Sequence, residues 1–326
     1  MAEETKPNVL LFGAGGVGAV YLYLLSRVSS ITAVCRSNFD VVKASGFIIH
    51  SSLFGENIHI TPNVVRNCSE AASTADKPFD LILVCSKAIP DAIPALIALA
   101  VTPGHTVICL LQNGIGIEQE YVEKFPDNPI VSCVVYLPAT QRPLGTVRHG
   151  EIERLEIGPY PSTASPIHAK RFQELVKAAG GTAEVHEDVQ LKRWTKLLIN
   201  ASWNPVCALT QCTDTEFMAS SPGAVDFIFG VMMEVVELGR AYGTAISRED
   251  AEMQLGRAKA RTANGMGKGV EPSMLQDVRA GRRMEVEAIV GNALALAKEK
   301  GVEVPKLEML YVLLKALDSK IGNAIV

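Results

Sequence analysis

The run NVLLF (8–12) passes directly into Gly13-Ala14-Gly15-Gly16-Val17-Gly18 and then into VYLYLL. A short, continuous apolar run reads as a strand covered on both faces, the kind found in parallel sheets. The glycines have separate uses. Gly13 permits a tight turn, Gly15 lets a backbone approach a pyrophosphate, and Gly18 allows close helix–strand packing. The helix after them offers unpaired N–H groups and positive potential to phosphates at its N-terminus. A GxGxxG alone is weak evidence, but in strand–turn–helix context it predicts a dinucleotide site. It also commits the next hundred residues or so to parallel strands joined by helices.

The first half obeys that grammar. Apolar strands are expected at 30–35, 80–85, 105–111 and 129–136, with helical patterns at 16–26, 39–45 and 89–100, the last starting near Pro94. GTVRHGEIERLEIG (145–158) alternates around His149-Gly150 and reads as an antiparallel hairpin appended to the sheet. Residues 165–181 read as a helix with a glycine stop, and TAEVH as a last short strand. After Asp188 strand signals almost vanish. Helical patterns take over at 188–204, 223–242, 249–263, 273–300 and 305–318. The expected fold is α/β: a Rossmann-type dinucleotide-binding domain at 1–187, then an all-helical domain at 188–326. Pro205 predicts a kink or an end to its helix at Asn204. The glycine-rich NGMGKGVEP (264–272) is expected to shape a loop beside a site.

Composition narrows the function classes. With 48% hydrophobic and 20% charged residues and a net charge of −4, the chain carries no electrostatic footprint for nucleic acid or an anionic membrane. Arg279, Arg282 and Arg283 read as a solvated helix face. The N-terminus does not resemble a targeting segment, and the longest apolar runs are about half the ~20 residues a membrane-spanning helix needs. Seven cysteines without CxxC pairs or metal-like His spacing argue against zinc and against a disulfide framework. Cys35, Cys85, Cys109 and Cys133 read as reduced core residues, and the expected location is cytoplasmic.

The end of the second strand selects the dinucleotide. NAD sites place an acid there for the ribose 2′-hydroxyl. This chain instead has VCRSN, with Arg36 in that place and no acid before Asp40. A guanidinium stacks on adenine and pairs with a 2′-phosphate, which favours NADPH/NADP+. Two further loops leave strand ends. VCSKA places Lys87 where it can reach a phosphate, and LLQNGIG places Asn113-Gly114 after the next strand.

KLLINASWNP (196–205) sets a polar series on an apolar helix. Each four-residue step rotates about 40° and climbs about 6 Å, so Lys196, Asn200 and Asn204 share one stripe. That stripe is either a solvated or interhelical polar line, or a lysine and two amides lining a cleft for a small polar molecule.

Taken in order, GAGGVG, Arg36, SKA, QNGIG, TVRHG, KLLINASWNP and SMLQDVRAGRRMEVE resemble the ketopantoate reductases (2-dehydropantoate 2-reductases) across nearly the whole chain. The specific parts are the Lys-x3-Asn-x3-Asn series and a serine twelve residues before a glutamate, Ser273 and Glu285. The resemblance implies hydride transfer from NADPH to a 2-oxo acid carbonyl. It implies Lys196 as general acid, and Asn200, Asn204 and Ser273 as substrate ligands. Asn113 would be shared between nicotinamide ribose and substrate, and Glu285 would be a cofactor contact that also steadies Lys196. Gly13–Gly18, Arg36 and Lys87 would complete the cofactor site, with no metal. The partners implied are a small 2-oxo acid or ketone and, as an open expectation, a second copy of the chain in a homodimer. Pro272, Met284, Val270 and Val290 depart from the family pattern, and these positions bear on substrate choice. A reductase of a less polar ketone and an NADP(H)-binding regulator without turnover are the competing readings. His149 reads as structural.

Overall fold

The computed structural model describes residues 6–89, 92–263 and 269–324. The chain divides into two compact units, Met1–Gln112 with Glu118–Val189, and Asn113–Ile117 with Gln190–Val326.

The strands of the first unit are β1 (Asn8–Phe12), β2 (Ser30–Val34), β3 (Phe47–Ser51), β4 (Gly55–Ile60), β5 (Asn63–Val65) and β6 (Leu81–Val84). They continue with β7 (Val107–Leu110), β8 (Ile130–Tyr136), β9 (Ala139–Gln141), β10 (Thr146–His149), β11 (Arg154–Tyr160) and β12 (Ala183–Val185). Eight of them form one sheet in the order β12-β11-β8-β7-β6-β1-β2-β5. From β8 to β5 every neighbouring pair is parallel, with β1 between β2 and β6. All five residues of β1 are buried, as a strand covered on both faces requires. The helix Gly16–Leu25 buries Val20, Leu22, Leu24 and Leu25 into the same core.

The expected 145–158 hairpin does not form. β10 pairs with β3 and β9 in a separate four-stranded sheet, whereas β11 pairs antiparallel with β8 over seven residues of the large sheet. Alternation on either side of Gly150 marks two strands but does not name their partners. Long-range pairing with β3 and β8 won over the local turn. At the end of β10, buried His149 meets the Ser51 hydroxyl at 2.8 Å and the Ile152 carbonyl at 2.9 Å, ring nitrogens in both cases. The strands β3, β4 and β5 lie in a stretch where the sequence pattern predicts none, because β4 is mostly exposed and lacks an apolar run.

The second unit is helical: Gln190–Thr210, Asp214–Ser220, Ala224–Ala241, Arg248–Ala263, Ser273–Arg279, Asn292–Lys300 and Pro305–Ala324. Two expected boundaries differ here. The first helix does not end at Asn204 but continues past Pro205 to Thr210, after which Gln211 adopts φ 61°. An interior proline costs about 3 kcal/mol. Burial of Trp203, Val206, Cys207 and Ala208 opposes that cost, at roughly 1.5–3 kcal/mol for each large side chain. The expected 273–300 helix is divided. It stops after Arg279, Gly281 turns the chain with φ 63°, and a π-helical turn, Glu287–Gly291, leads into Asn292–Lys300.

Part of the glycine-rich 264–272 segment, like Pro90, lies outside the described residues. At its described end Val270 N–H donates to the Asp214 carboxylate at 2.6 Å, and Arg261 pairs with the same group. Arg279, Arg282 and Arg283 each pair with a carboxylate, Glu271, Asp277 and Asp318 respectively. No disulfide joins any of the seven cysteines. Among the described residues no single helix is long and apolar enough to cross a membrane.

The five residues 113–117 belong to the helical unit because Ile115 is buried in its core, alongside Trp194, Leu198 and Ile289. Ile115 N–H donates to the Ala288 carbonyl at 3.1 Å, and the Asn292 amide donates to the Ile115 carbonyl at 2.8 Å. Ile115→Ala should therefore cost about 2–5 kcal/mol in denaturant unfolding. Ile152→Ala, at a side chain 56% exposed, should stay within about 0.5 kcal/mol of the parent. Equal losses from the two substitutions would show that Ile115 does not anchor the loop.

Candidate active site

The first unit presents the dinucleotide loop. Gly13 has φ 99°, and a Cβ there would lie 2.4 Å from the Ser86 backbone nitrogen. Only glycine fits that turn and that approach. A Cβ on Gly18 would meet the Gly13 carbonyl at 2.3 Å, the close packing anticipated for the third glycine. Gly15 differs: nothing lies within 4 Å of a Cβ built on it, and it is exposed. It caps the Gly16–Leu25 helix, which has no acidic residue in its first turn and no side-chain cap. Those N–H groups are thus open to an anion. Ala14 and Val17 lie within the same turn. Next to it the Ser86 hydroxyl is shielded from solvent and lacks a hydrogen-bond partner among the described residues. Open space at Gly15, an uncapped helix N-terminus and an unsatisfied buried hydroxyl fit the pyrophosphate of a dinucleotide.

Beyond β2, Arg36 is exposed. Buried Asn38, two residues on, donates to the Ala14 carbonyl at 2.8 Å, and Gln141 donates to the same carbonyl at 3.1 Å. These two amides tie the glycine loop to the β2 turn and to β9, and sequence reading missed both. It also missed Arg66, one residue past β5, whose guanidinium lies 4.0 Å from the Phe39 ring centroid and pairs with Asp40 at 2.6 Å. Asp40, the first acid after β2, is therefore already engaged by a cation. Lys87 is half-buried, three residues past β6.

The helical unit gathers the second group. Lys196 Nζ donates to Asn113 Oδ1 at 2.8 Å, and Asn113 Nδ2 donates to Glu285 Oε2 at 3.3 Å. The structure thus joins three residues separated by 83 and 172 positions into one hydrogen-bonded chain. Lys196 sits in a recess, walled by protein yet retaining partial exposure. Burial lowers its pKa from 10.5 to about 8; the Arg193 charge adds to the fall and Glu285 opposes it. Desolvation outweighs the acid.

Asn200, one turn on from Lys196, is half-buried, and Asn204 is buried. Ser273 opens the Ser273–Arg279 helix and donates to Asn204 Oδ1 at 3.4 Å, a long contact. The stripe is thus a lysine, two amides and a hydroxyl on two helices. Of the departing positions, Val290 is fully buried in the helical core and Val270 is exposed. Met284 is buried, with its N–H donating to Asp318.

Arg193 is the residue of this region that sequence reading overlooked. It is 3% exposed, and its Nη1 donates to the Gly114 carbonyl at 2.9 Å. The available signal was a charged residue one turn before Lys196, on the face that also carries buried Leu197. The π-helical turn two residues after Glu285 was equally invisible; such turns are rare and concentrate at functional sites.

Residues 9–162 match the family model described as ketopantoate reductase PanE/ApbA, and residues 188–318 the model described as its C-terminal part. The chain is 28% identical to the meiotically up-regulated gene 72 protein of Schizosaccharomyces pombe, over 98% of this chain but only 58% of that protein's length. It is 26% identical to a 2-dehydropantoate 2-reductase of Nostoc sp., covering 98% of this chain and 97% of the relative. The solved structure of 2-dehydropantoate 2-reductase from Methylococcus capsulatus superposes with a TM-score of 0.82 at 30% identity, covering 96% of this chain and 97% of the other.

The glycine geometry separates folding from binding. Gly15→Ala should leave unfolding free energy within about 1 kcal/mol of the parent, since its φ of −79° suits alanine and the space is open. It should nevertheless weaken dinucleotide binding in fluorescence titration. Gly13→Ala should lose both stability and binding. Normal affinity in Gly15→Ala would place the pyrophosphate elsewhere.

Proposed function

This chain belongs to the ketopantoate reductase family, and from that premise we propose that it reduces a 2-oxo acid, ketopantoate first, to the 2-hydroxy acid with NADPH. It is an oxidoreductase acting on the CH–OH/C=O pair with a nicotinamide dinucleotide. The observation that carries the proposal is the Lys196–Asn113–Glu285 chain on a lysine whose pKa is lowered to about 8. The preference for NADPH rests on exposed Arg36 in the place of an acid, and on Asp40 being engaged by Arg66.

When bound, the dinucleotide supplies the hydride. The chain's own residues manage the charge and the proton. As the carbonyl oxygen gains negative charge, the Lys196 ammonium stabilises it, and in a partly desolvated recess that attraction is stronger than in water. An ammonium has three donors. Asn113 Oδ1 accepts from one of them and so aims the head. A pKa near 8 keeps the lysine largely protonated at neutral pH while easing release of its proton to the alkoxide. Asn200, Asn204 and Ser273 are the substrate's hydrogen-bonding partners in this reading, binding carboxylate and hydroxyl without an arginine clamp. Val290, sealed in the core, does not change the polarity of an accessible surface. We place the protein in the cytoplasm, where its cysteines stay reduced.

The test monitors absorbance of NADPH, with NADH in parallel, against 2-oxo acids and uncharged ketones. Ketopantoate should exceed an uncharged ketone in kcat/KM by about a hundredfold, roughly 2.7 kcal/mol. The reverse order would assign the site to a less polar ketone, and no turnover with any carbonyl would leave a binding protein.

Lys196→Ala should lower kcat by roughly 10²–10⁴-fold, with dinucleotide affinity retained. In the parent, kcat/KM for reduction should fall as pH rises through about 8, because the acid form of Lys196 is lost there. Alcohol oxidation should rise over the same range. Glu285 raises the lysine's pKa, so Glu285→Gln should move both limbs to lower pH. Limbs unmoved by that change would mean that another group carries the proton.

A further inference from the structure

Arg193 lies in the Gln190–Thr210 helix, three residues before Lys196, and is almost wholly buried. A buried guanidinium is expensive unless its donors are satisfied. One of them is spent on a backbone carbonyl, that of Gly114, at 2.9 Å. That carbonyl belongs to the residue after Asn113, whose side chain holds the lysine at 2.8 Å. On the far side the same loop is fixed by Ile115 N–H to the Ala288 carbonyl and by Asn292 to the Ile115 carbonyl. Gly114 has φ 108°, and a Cβ there would lie 2.4 Å from the Ala288 carbonyl, so the loop is pressed against the π-helical turn with no slack.

We infer that Arg193 is a positioning residue for Lys196, locking the Gly114 carbonyl so that Asn113 is held on the lysine head. The inference rests on the reading of Lys196 as proton donor and adds to it. The charged groups that act on that lysine include Arg193 from its own helix and Glu285 from the segment before the π-helical turn, while Asn113 on the loop is neutral. Arg193 thus has two separable effects. Its fork fixes the loop, and its charge loosens the lysine's proton. Lysine in its place keeps the charge but not the planar fork; methionine keeps neither.

The test measures two quantities in Arg193→Met and Arg193→Lys. One is the pH profile of kcat/KM. The other is the pH at which Lys196 becomes half-reactive toward an amine-acylating reagent, read by peptide mass spectrometry and independent of turnover. In Arg193→Met the half-reactive pH and the alkaline limb should both move up, and kcat should fall on the order of 10–10²-fold, the cost of a misplaced catalytic group. In Arg193→Lys the half-reactive pH should stay near that of the parent while kcat still falls. A folded Arg193→Met with unmoved half-reactive pH overturns the electrostatic part. An Arg193→Lys with parental kcat overturns the locking part, and decides the matter if Arg193→Met does not fold. Failure of the underlying reading looks different: Lys196→Ala would keep its turnover whatever the labelling of Arg193 variants shows.

Discussion

One isoleucine decides where the chemistry can be assembled. Residues 113–117 continue from a strand of the sheet unit, yet Ile115 is buried in the core of the helical unit. Burying such a side chain is worth roughly 1.5–3 kcal/mol, enough to dictate the path of a five-residue loop. Asn113 is carried along. It meets Lys196 and Glu285 because its neighbour two positions on is a core residue. Hydrogen bonds donated by Arg193 and Asn292, and one accepted by the Ala288 carbonyl, then fix the loop that hydrophobic burial has brought there.

The lysine's acidity stems from the same arrangement. A recess deep enough to desolvate an ammonium lowers its pKa, and a nearby acid opposes that fall. Here the acid touches Asn113, and Asn113 touches the lysine. The neutral amide links the two and transmits orientation; desolvation is the largest influence on the lysine, Arg193 adds to it, and Glu285 opposes it. Replacing the amide with a second carboxylate would trade geometry for a tighter-held proton.

Much of this was legible in the sequence, and the gaps have physical causes. The glycine turn, the parallel strands and the Lys-x3-Asn-x3-Asn series are local patterns with fixed periods, and local patterns survive reading one chain at a time. The competition between desolvation and Glu285 at Lys196 could not be settled from spacing, because it depends on depth. The false hairpin at 145–158 arose because β10 and β11 take partners distant in sequence, whereas the local pair β3–β4 escaped notice because β4 is mostly exposed and lacks an apolar run. Pro205 does not end its helix because a local penalty is outweighed by packing on either side of it. Arg193 escaped notice because a charged residue on a helix is read as solvated unless its burial is known.

The π-helical turn at Glu287–Gly291 has a consequence for how this chain tolerates change in length. Such a turn holds one residue more than the α-helical path needs. A π turn absorbs that residue without rotating its flanks, so closing it to an α-helix would leave them in nearly the same relation. Glu285 stands on one side and Asn292 on the other, and both hold the same loop through different residues. The Ala288 carbonyl that accepts from Ile115 lies inside the turn, so this stretch holds the loop from within as well as from its two flanks.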